Sequence, residues 1–401
     1  MHRLRKLVKS LVYLLCFLVL AVLLLFRPVF RIRLVIVGFH KYGHLALEPD
    51  LMMMQFNDEK REKLRKFPIL LPMWSLGPRS MRANSVLADL WKRRLFVAPS
   101  WFVNGLVSVG NHFKFLSLES PGTSIHAPAY HHTSSVAPLR LSPQQNQTGR
   151  RGLIEMGIDP NRPFVCLVVR DGGHYSDPSG PENPAYSFRN FDIDDFSDLA
   201  IALVNRGYQV VRLGAGKEKP ISIQYEGLID YATSRFRSEL LDVYLAANCS
   251  FAVSTQTGPD AVSLLFRRPV CYVDIPVYSQ MFLGSGLAVW NPVVYERDGQ
   301  RLSLFEIAES DLVWGKNTEE LLSRGIRGIR STSSELVENV NSFIDYFELG
   351  SLSSPQDIQR SVIANEFLVN ALGEKGKEVF GEVKALFNPA FLERNADWYL
   401  R

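Results

Sequence analysis

The spacing of hydrophobic residues in the first part of the chain predicts an α/β unit. Residues 31–37 are mostly β-branched or apolar and predict a strand. A short loop with glycines follows, and residues 44–54 predict a helix in which Pro49 is early enough to be tolerated or to cause a kink. Strand, glycine loop and helix form the opening of a Rossmann-type unit. An apolar stretch at 67–73 and an amphipathic pattern typical of a helix at 80–94 come next.

The second part of the chain alternates more regularly between the two patterns. Strands are predicted at residues 164–169, 208–213, 251–254 and 269–273, and helices at 192–205, 239–247 and 259–266. This alternation implies a parallel sheet with right-handed crossovers. The run at 164–169 is apolar throughout, as in a strand that is covered on both faces. The tail adds helix patterns at 334–347, 357–372 and 374–387.

A polar stretch separates the two parts. Between residues 120 and 151, Pro, Ser, His, Gln and Thr dominate and the apolar periodicity disappears, which is typical of a linker or a long surface loop. Because 401 residues favour two domains over one, we place the domain boundary here. The predicted organisation is an anchor at 1–30, a first domain at 31–119, the linker at 120–151, a second domain at 152–332 and C-terminal helices at 333–401.

The N-terminus departs from the α/β pattern, because residues 11–26 are apolar without interruption. The flanking basic residues are Arg3, Arg5, Lys6 and Lys9 before the run, and Arg27, Arg31 and Arg33 after it. A span needs roughly 20 apolar residues, so the run is short unless Leu7 and Val8 join it, and a signal peptide is the competing interpretation. No Ala-x-Ala-like site follows, so we favour a retained anchor that either spans the bilayer or lies in one leaflet. Positive charge on both flanks leaves the orientation open.

Composition narrows the classes of function. With 46% apolar and 21% charged residues, the chain has the composition of an ordinary globular protein and the length for two cores. A net charge of +4 without a basic run in the body of the chain argues against a nucleic-acid partner. The four cysteines lie in apolar runs without metal-ligand spacing, which is typical of small buried hydrophobic residues.

Polar residues follow the predicted strand at 251–254, at the sheet edge where open α/β sheets bind ligands. The candidate binding residues there are Ser254, Thr255, Thr257, Gly258 and Asp260. Free N–H groups at the start of the following helix favour an anion such as a pyrophosphate, and the glycine lets the backbone approach it. Simple capping of the helix by a hydroxyl side chain is the alternative.

Two further predicted strands end in cations and glycines. Arg170 and Asp171 follow the first strand of the second part, where an arginine can bind a phosphate bidentately; a surface turn is the alternative. Arg212 and Gly214 stand at the end of the next strand. We expect the two arginines and the turn at 255–258 to converge on one diphosphate, with Gly214 leaving room for the nucleotide.

His44 is the candidate base, because it follows the first glycine loop and can titrate near neutral pH. Glu48 lies one turn further along the same helix face. Capping of the helix, or contact with a phosphate, is an equal alternative for the histidine. Asp171 is the reserve base. Glu239 opens a predicted helix, where it either holds a ribose or a cationic neighbour or is a solvated helix charge.

Several of these motifs, in this order, resemble a family of bacterial glycosyltransferases that is linked to surface-polysaccharide synthesis. They are SFRNFDID at 187–194, RLG at 212–214, DYA at 230–232, RSELLDVYL at 237–245, STQTGPD at 254–260 and FRRP at 266–269. The resemblance extends over residues 31–329 and is strongest at 164–274. More distantly, the segment 240–259 is similar to the ADP-heptose:lipopolysaccharide heptosyltransferases, in which an aspartate after the first glycine loop is the base. The corresponding position here is His44.

The resemblance implies a GT-B fold, with two Rossmann-type domains that face across a cleft and an N-terminal anchor helix. It implies transfer of a sugar from a nucleotide-sugar donor to a surface-glycan or lipid-linked precursor. The first domain would bind the acceptor and the second the donor, with no bound metal and no cofactor besides the donor itself. The body of the chain would face the cytoplasm at the bacterial inner membrane, where such donors are made. A nucleotide-sugar epimerase or a non-catalytic glycan-assembly protein on the same fold are the alternatives.

Overall fold

A computed structural model describes residues 2–62, 69–119, 136–172, 184–214, 219–278, 286–349, 354–371, 373–374 and 386–400. The chain forms two compact units, Met1–Ala127 (unit 1) and Pro128–Arg401 (unit 2). The border between them falls inside the stretch predicted as a linker.

Unit 1 is built on parallel strands. Its elements are α1 (His2–Phe26), β1 (Phe30–Ile36), α2 (Tyr42–Glu62), β2 (Ile69–Ser75), α3 (Ser85–Lys92) and α4 (Ser100–His112). β1 pairs with β2, and single parallel bridges join Val97 to Trp74 and Glu119 to Arg33. The order across this sheet is therefore Val97, β2, β1, Glu119, which is the 3-2-1-4 order of a Rossmann half. The predicted strand, glycine loop and helix are confirmed, whereas α4 was not predicted.

Unit 2 contains the larger sheet. Its strands are β3 (Phe164–Val168), β4 (Gln209–Arg212), β5 (Leu228–Ile229), β6 (Ala252–Ser254), β7 (Val270–Ile275), β8 (Ala288–Pro292), β9 (Val294–Arg297), β10 (Gln300–Arg301), β11 (Ile326–Ile329) and β12 (Leu386–Phe387). Seven of them form one parallel sheet in the order β5-β4-β3-β6-β7-β8-β12, and β9 to β11 form a small antiparallel sheet. The first six strands of the large sheet thus follow the doubly wound order 3-2-1-4-5-6.

Helices cover this sheet. They are α5 (Pro143–Glu155), α6 (Ser197–Asn205), α7 (Glu239–Asn248), α8 (Gly258–Leu265), α9 (Leu304–Glu309), α10 (Thr318–Ser323), α11 (Ser333–Leu349), α12 (Pro355–Ala371), α13 (Pro389–Arg394) and α14 (Ala396–Leu400). Residues of β3, β6, β7, α6 and α11 share one apolar core. All residues of β3, β4, β6 and β7 are buried, as expected for strands covered on both faces. The α/β class with a large parallel sheet and an apolar N-terminal helix is confirmed.

The C-terminal part of the predicted linker is helical and not a loop. Ser142 caps α5 by accepting the Gln145 N–H at 3.2 Å, and Pro143 takes the first helical position. A Cβ added to Gly149 would meet Tyr244 Cδ2 at 2.1 Å, so the helix packs on α7 through a glycine. Because the packed side of α5 carries glycine where an apolar side chain would be counted, the helix has a weak hydrophobic period.

The prediction of a helix at 374–387 is wrong for its last two residues. Leu386 and Phe387 form β12, which pairs in parallel with β8 at the edge of the large sheet. Phe387 is fully buried and its ring lies 6.1 Å from that of Trp398. Asn388 then caps α13, so the apolar pair belongs to a short strand before a helix start.

Candidate functional site

The large sheet has its topological switch point between β3 and β6. These neighbouring strands are followed by crossovers that run in opposite directions across the sheet, and this opens a crevice at their carboxyl ends. Val168 pairs with Ser254 at this edge. The Arg170 N–H donates to Thr255 Oγ1 at 2.8 Å, and the Thr255 N–H donates to the Val168 carbonyl at 3.1 Å. The structure therefore joins the ends of β3 and β6 by hydrogen bonds, and the end of β4 lies on the other side of β3.

The turn between β6 and α8 is held in an unusual backbone conformation. Gln256 has φ of 65°, in the left-handed region that side chains other than glycine rarely adopt. Its N–H donates to Ser254 Oγ at 3.0 Å. The Thr257 N–H donates to Asp260 Oδ2 at 2.7 Å, and Gly258 and Pro259 then begin α8. Side chains of the turn itself thus fix the approach to the helix N-terminus.

We had expected Asp260 to contact the donor. The structure shows instead that its carboxylate bonds to residues in and around this turn. Its carboxylate is 4% exposed and accepts from Ser254 Oγ at 2.5 Å, from the Thr257 N–H and from the Tyr272 hydroxyl at 3.1 Å. Burial raises its pKa to about 6. Tyr272 in turn stacks on Trp290 with ring centroids 4.1 Å apart. A carboxylate whose oxygens are occupied in this way acts by positioning the turn.

A second arginine reaches the turn from a segment that the sequence analysis had not assigned to the site. Arg189, at the end of a 3₁₀ helix over Pro184–Arg189, donates to the Gln256 carbonyl at 3.2 Å and to its Oε1 at 3.4 Å. The next residue, Asn190, accepts from Arg170 Nε at 3.4 Å. The Arg170 side chain thus bonds to Asn190, and the guanidinium of the adjacent Arg189 lies beside the turn. The SFRN motif of the resemblance was the sequence feature that contained both residues.

Arg212 is placed differently from the expected phosphate contact. Its side chain is 1% exposed, and Nη1 donates to Asp230 Oδ2 at 3.1 Å and to the Lys219 carbonyl at 2.6 Å. Asp171 lies 3.9 Å from the same guanidinium, so the reserve base is part of a charge cluster. These ion pairs join the loops after β4 and β5, and the described contacts of the buried guanidinium are with the protein itself.

The remaining predicted donor residues lie at the same sheet edge. Gly214 follows β4, and the residues after it, 215–218, are outside the described part of the chain. Glu239 is exposed in the first turn of α7. Because α7 connects β5 to β6, its N-terminus lies at the carboxyl edge of the sheet.

In unit 1, His44 and Glu48 form a hydrogen-bonded pair in the first two turns of α2. Glu48 is 2% exposed; its Oε1 lies 2.7 Å from His44 Nδ1, and its Oε2 accepts the Gly38 N–H at 2.7 Å. Because a carboxylate only accepts, Nδ1 donates this hydrogen bond, and in the neutral form of the ring Nε2 then has the lone pair. The His44 side chain is 26% exposed. The ring bonds a side chain and not a backbone N–H of the helix end, which argues against His44 as a cap of α2.

One cavity among the described residues of unit 1 lies away from this pair. It measures about 190 Å³ and is lined by residues from the end of α1, from β1 and from 116–119. His44 does not line it. At the carboxyl end of β1 the His44 ring is thus partly exposed, whereas its partner Glu48 is buried.

Comparison with known proteins gives distant structural likenesses. No protein-family model and no curated protein sequence matches the chain. It is similar to the solved structure of Escherichia coli ADP-heptose lipopolysaccharide heptosyltransferase II, with 17% identity and a TM-score of 0.36 over 60% of this chain and 84% of that one. A glycosyl transferase of family 9 from Veillonella parvula is similar with 9% identity and a TM-score of 0.36 over 61% of this chain and 81% of that one. The heptosyltransferase TibC, solved with ADP-D-beta-D-heptose, is similar with 11% identity and a TM-score of 0.33 over 66% of this chain and 64% of that one. The similarity to heptosyltransferases is distant.

Proposed function

We propose that the chain is a glycosyltransferase that moves a sugar from a nucleotide-sugar donor to a surface-glycan or lipid-linked precursor. The observation that carries this proposal is the switch point between β3 and β6. There the Arg170 N–H bonds to Thr255 and the Arg189 guanidinium bonds to Gln256, both in the turn that leads into the N-terminus of α8. A helix N-terminus beside guanidinium groups is the arrangement that binds a diphosphate. The motif resemblance to glycosyltransferases supports a nucleotide sugar as the source of that diphosphate.

The donor diphosphate is the leaving group in this proposal. Negative charge builds up on it as the glycosidic bond to the sugar breaks. The N–H groups at the start of α8 and the two guanidinium groups are fixed before the reaction, so they stabilise that charge without reorganisation. Asp260 and Ser254 keep the turn in shape, and Gly258 gives the phosphate access to the backbone.

His44 is the proposed base on the acceptor side. Its Nε2 would take the proton of the attacking acceptor hydroxyl while Glu48 holds Nδ1–H and stabilises the imidazolium that forms. The nucleotide sugar is itself the substrate, so the reaction that we propose uses no further cofactor. The apolar α1 would keep the enzyme at the bacterial inner membrane with its body in the cytoplasm, beside a lipid-linked acceptor.

A screen of nucleotide sugars tests the donor site. The melting temperature of the purified chain should rise with one class of nucleotide sugar, and Arg170→Ala should remove most of that shift, since a charge-assisted contact to phosphate is lost. Arg170→Lys keeps the charge and should retain part of the shift. Arg151→Ala is the matched control, because that side chain is 72% exposed on α5.

Measurement of nucleotide release distinguishes a glycosyltransferase from a protein that only binds nucleotide sugars. Nucleotide release that depends on an acceptor glycan supports transfer. A shift in melting temperature without release of nucleotide would point to a binding protein instead. An unchanged shift and unchanged turnover in a folded Arg170→Ala variant would contradict the donor site described here.

A further inference from the structure

The N-terminal helix has an apolar side that unit 1 leaves uncovered. Leu11, Leu14, Leu18 and Leu25 are 57%, 54%, 53% and 77% exposed. Their spacing of three, four and seven residues places them along one side of α1. A continuous row of exposed leucines is a surface that water solvates poorly, so a partner that accepts apolar side chains is required.

The opposite side of α1 belongs to the core of unit 1. Cys16 and Leu20 are buried, and Phe17 packs edge-to-face on Phe113 with ring centroids 5.4 Å apart. At Gly105 of α4 the helices approach so closely that an added Cβ would lie 2.5 Å from Cys16 Sγ. The middle of α1 is therefore fixed to the folded unit over several turns and is not a free stalk.

This packing conflicts with a helix that crosses a bilayer. Asn104, Ser108 and Asn111 are exposed on α4, beside the middle of α1. A perpendicular α1 would carry them to the bilayer centre, where exposed polar groups cannot be hydrated. With 13 residues α4 is about 20 Å long, too short to span as a partner helix. In contrast, a helix that lies in the plane of one leaflet leaves these polar groups in water.

The distribution of charge identifies the surface that suits this helix. The first 47 residues contain eight Lys and Arg and no Asp or Glu, whereas the rest of the chain has more acidic than basic residues. Lys6 and Lys9 precede the apolar part of α1, and Arg27 and Arg31 follow it. If the helix lies in the plane, both basic ends reach the headgroup level of the same leaflet. Anionic phospholipids bind such clusters.

We propose that α1 lies in the plane of one anionic lipid leaflet with its leucine side toward the acyl chains, and that its other side holds unit 1 against the membrane through α4. This goes beyond the proposed reaction, since it concerns only how the chain meets the bilayer. It rests on the packing of α1, on the polar exposed side of α4 and on the basic ends of α1.

Vesicle flotation of the full chain tests the surface. The chain should float with vesicles of phosphatidylcholine mixed with phosphatidylglycerol, and weakly with phosphatidylcholine alone. Lys6→Gln with Lys9→Gln should weaken binding by about fivefold for each charge removed at low salt. Leu14→Asn with Leu18→Asn should abolish flotation, whereas Leu322→Asn, which changes a leucine 61% exposed in unit 2, should leave it unchanged. Undiminished flotation of the variant with both leucines replaced would overturn the proposal. So would a dimer of the wild-type chain in the absence of lipid that the same two substitutions dissociate.

Cysteine labelling distinguishes an α1 that lies in the plane of one leaflet from an α1 that spans the bilayer. The native cysteines are buried, so an added thiol reports alone. His2→Cys and the exposed Arg93→Cys of unit 1 should react with a membrane-impermeant maleimide from the same side of sealed vesicles. Reaction from opposite sides would show a span and end the proposal. Melting curves confirm that the variants are folded, and no readout depends on glycosyl transfer, so failure here leaves the proposed reaction standing.

Discussion

At the scale of single residues, the pair of His44 and Glu48 makes a sharp prediction about rate. His44→Ala should lower kcat by roughly 10²–10⁴-fold, the usual contribution of a general base. Glu48→Gln keeps a side chain of the same shape but replaces the charge that stabilises the imidazolium, so kcat should fall about tenfold or more with KM little changed. The measurement is kcat and KM across pH with the donor found in the screen.

Two comparisons guard this prediction. Glu155→Gln changes a carboxylate that is 55% exposed at the end of α5 and should leave kcat unchanged. A Glu48→Gln enzyme with the wild-type pH profile and rate would remove His44 from the mechanism. Loss of the fold in that variant would be visible as a lowered melting temperature, separate from the kinetic effect.

The buried Asp260 predicts that its contribution to the free energy of unfolding falls as the pH rises, which is the opposite of an ion-paired carboxylate. Burial raises its pKa to about 6 from the ordinary 3.8, so between about pH 4 and 6 the folded chain binds a proton that the unfolded chain has released. Its contribution to stability is present below about pH 4 and is lost as the pH rises through 6. Asp260→Asn should abolish this contribution, which is ~3 kcal/mol at most.

The experiment compares denaturant unfolding of the two proteins over that pH range. Asp274 has a raised pKa of about 6 for the same reason, but it is present in both proteins and cancels in the difference. Glu309→Gln, at an exposed position in α9, is the control. Parallel pH curves for wild type and Asp260→Asn would show that the buried carboxyl titrates normally.

At the scale of secondary-structure elements, the glycine contact between α5 and α7 predicts that a good helix former destabilises the protein. Alanine at an exposed helix position is favoured over glycine by about 1 kcal/mol. At Gly149, however, the added Cβ would meet the Tyr244 ring at 2.1 Å, and overpacking costs about 1–3 kcal/mol. Gly149→Ala should therefore lower the melting temperature by a few degrees, while Arg151→Ala on the exposed side should not. A higher melting temperature for Gly149→Ala would refute the close packing.

The same elements show what the sequence could and could not predict. The predicted strand ends located the carboxyl edge of the large sheet correctly, because apolar runs fix where parallel strands stop. They did not give the direction of the side chains: Arg212 turns inward to Asp230, whereas Arg189, 67 residues before Gln256, reaches the turn. Such a long-range partner leaves no periodic pattern. The sequence analysis did not predict α4 for a related reason. Its apolar side packs on α1, and in the sequence this segment is an uncharged stretch without a clear amphipathic pattern.

At the scale of the whole molecule, the described residues of the proposed donor site all belong to unit 2. Residues 128–401 contain the complete large sheet, Arg170, Arg189 and the turn at 255–258. Expressed alone, this part should show the same nucleotide-dependent rise in melting temperature as the full chain but no transfer, since His44 is in unit 1. Differential scanning fluorimetry and an assay of nucleotide release check the two halves of this prediction. The prediction would be contradicted by a folded fragment whose melting temperature does not change with the nucleotide sugar that stabilises the full chain.

The left-handed residue of the turn has one more consequence. Gln256 keeps its φ of 65° while Arg189 holds its carbonyl from the segment 184–189. The conformation of the turn and the position of that segment are therefore linked, and linkage is reciprocal. We therefore expect a ligand that rests on the turn to order the segment 184–189 as well, and a change that loosens Arg189 to weaken the binding of that ligand.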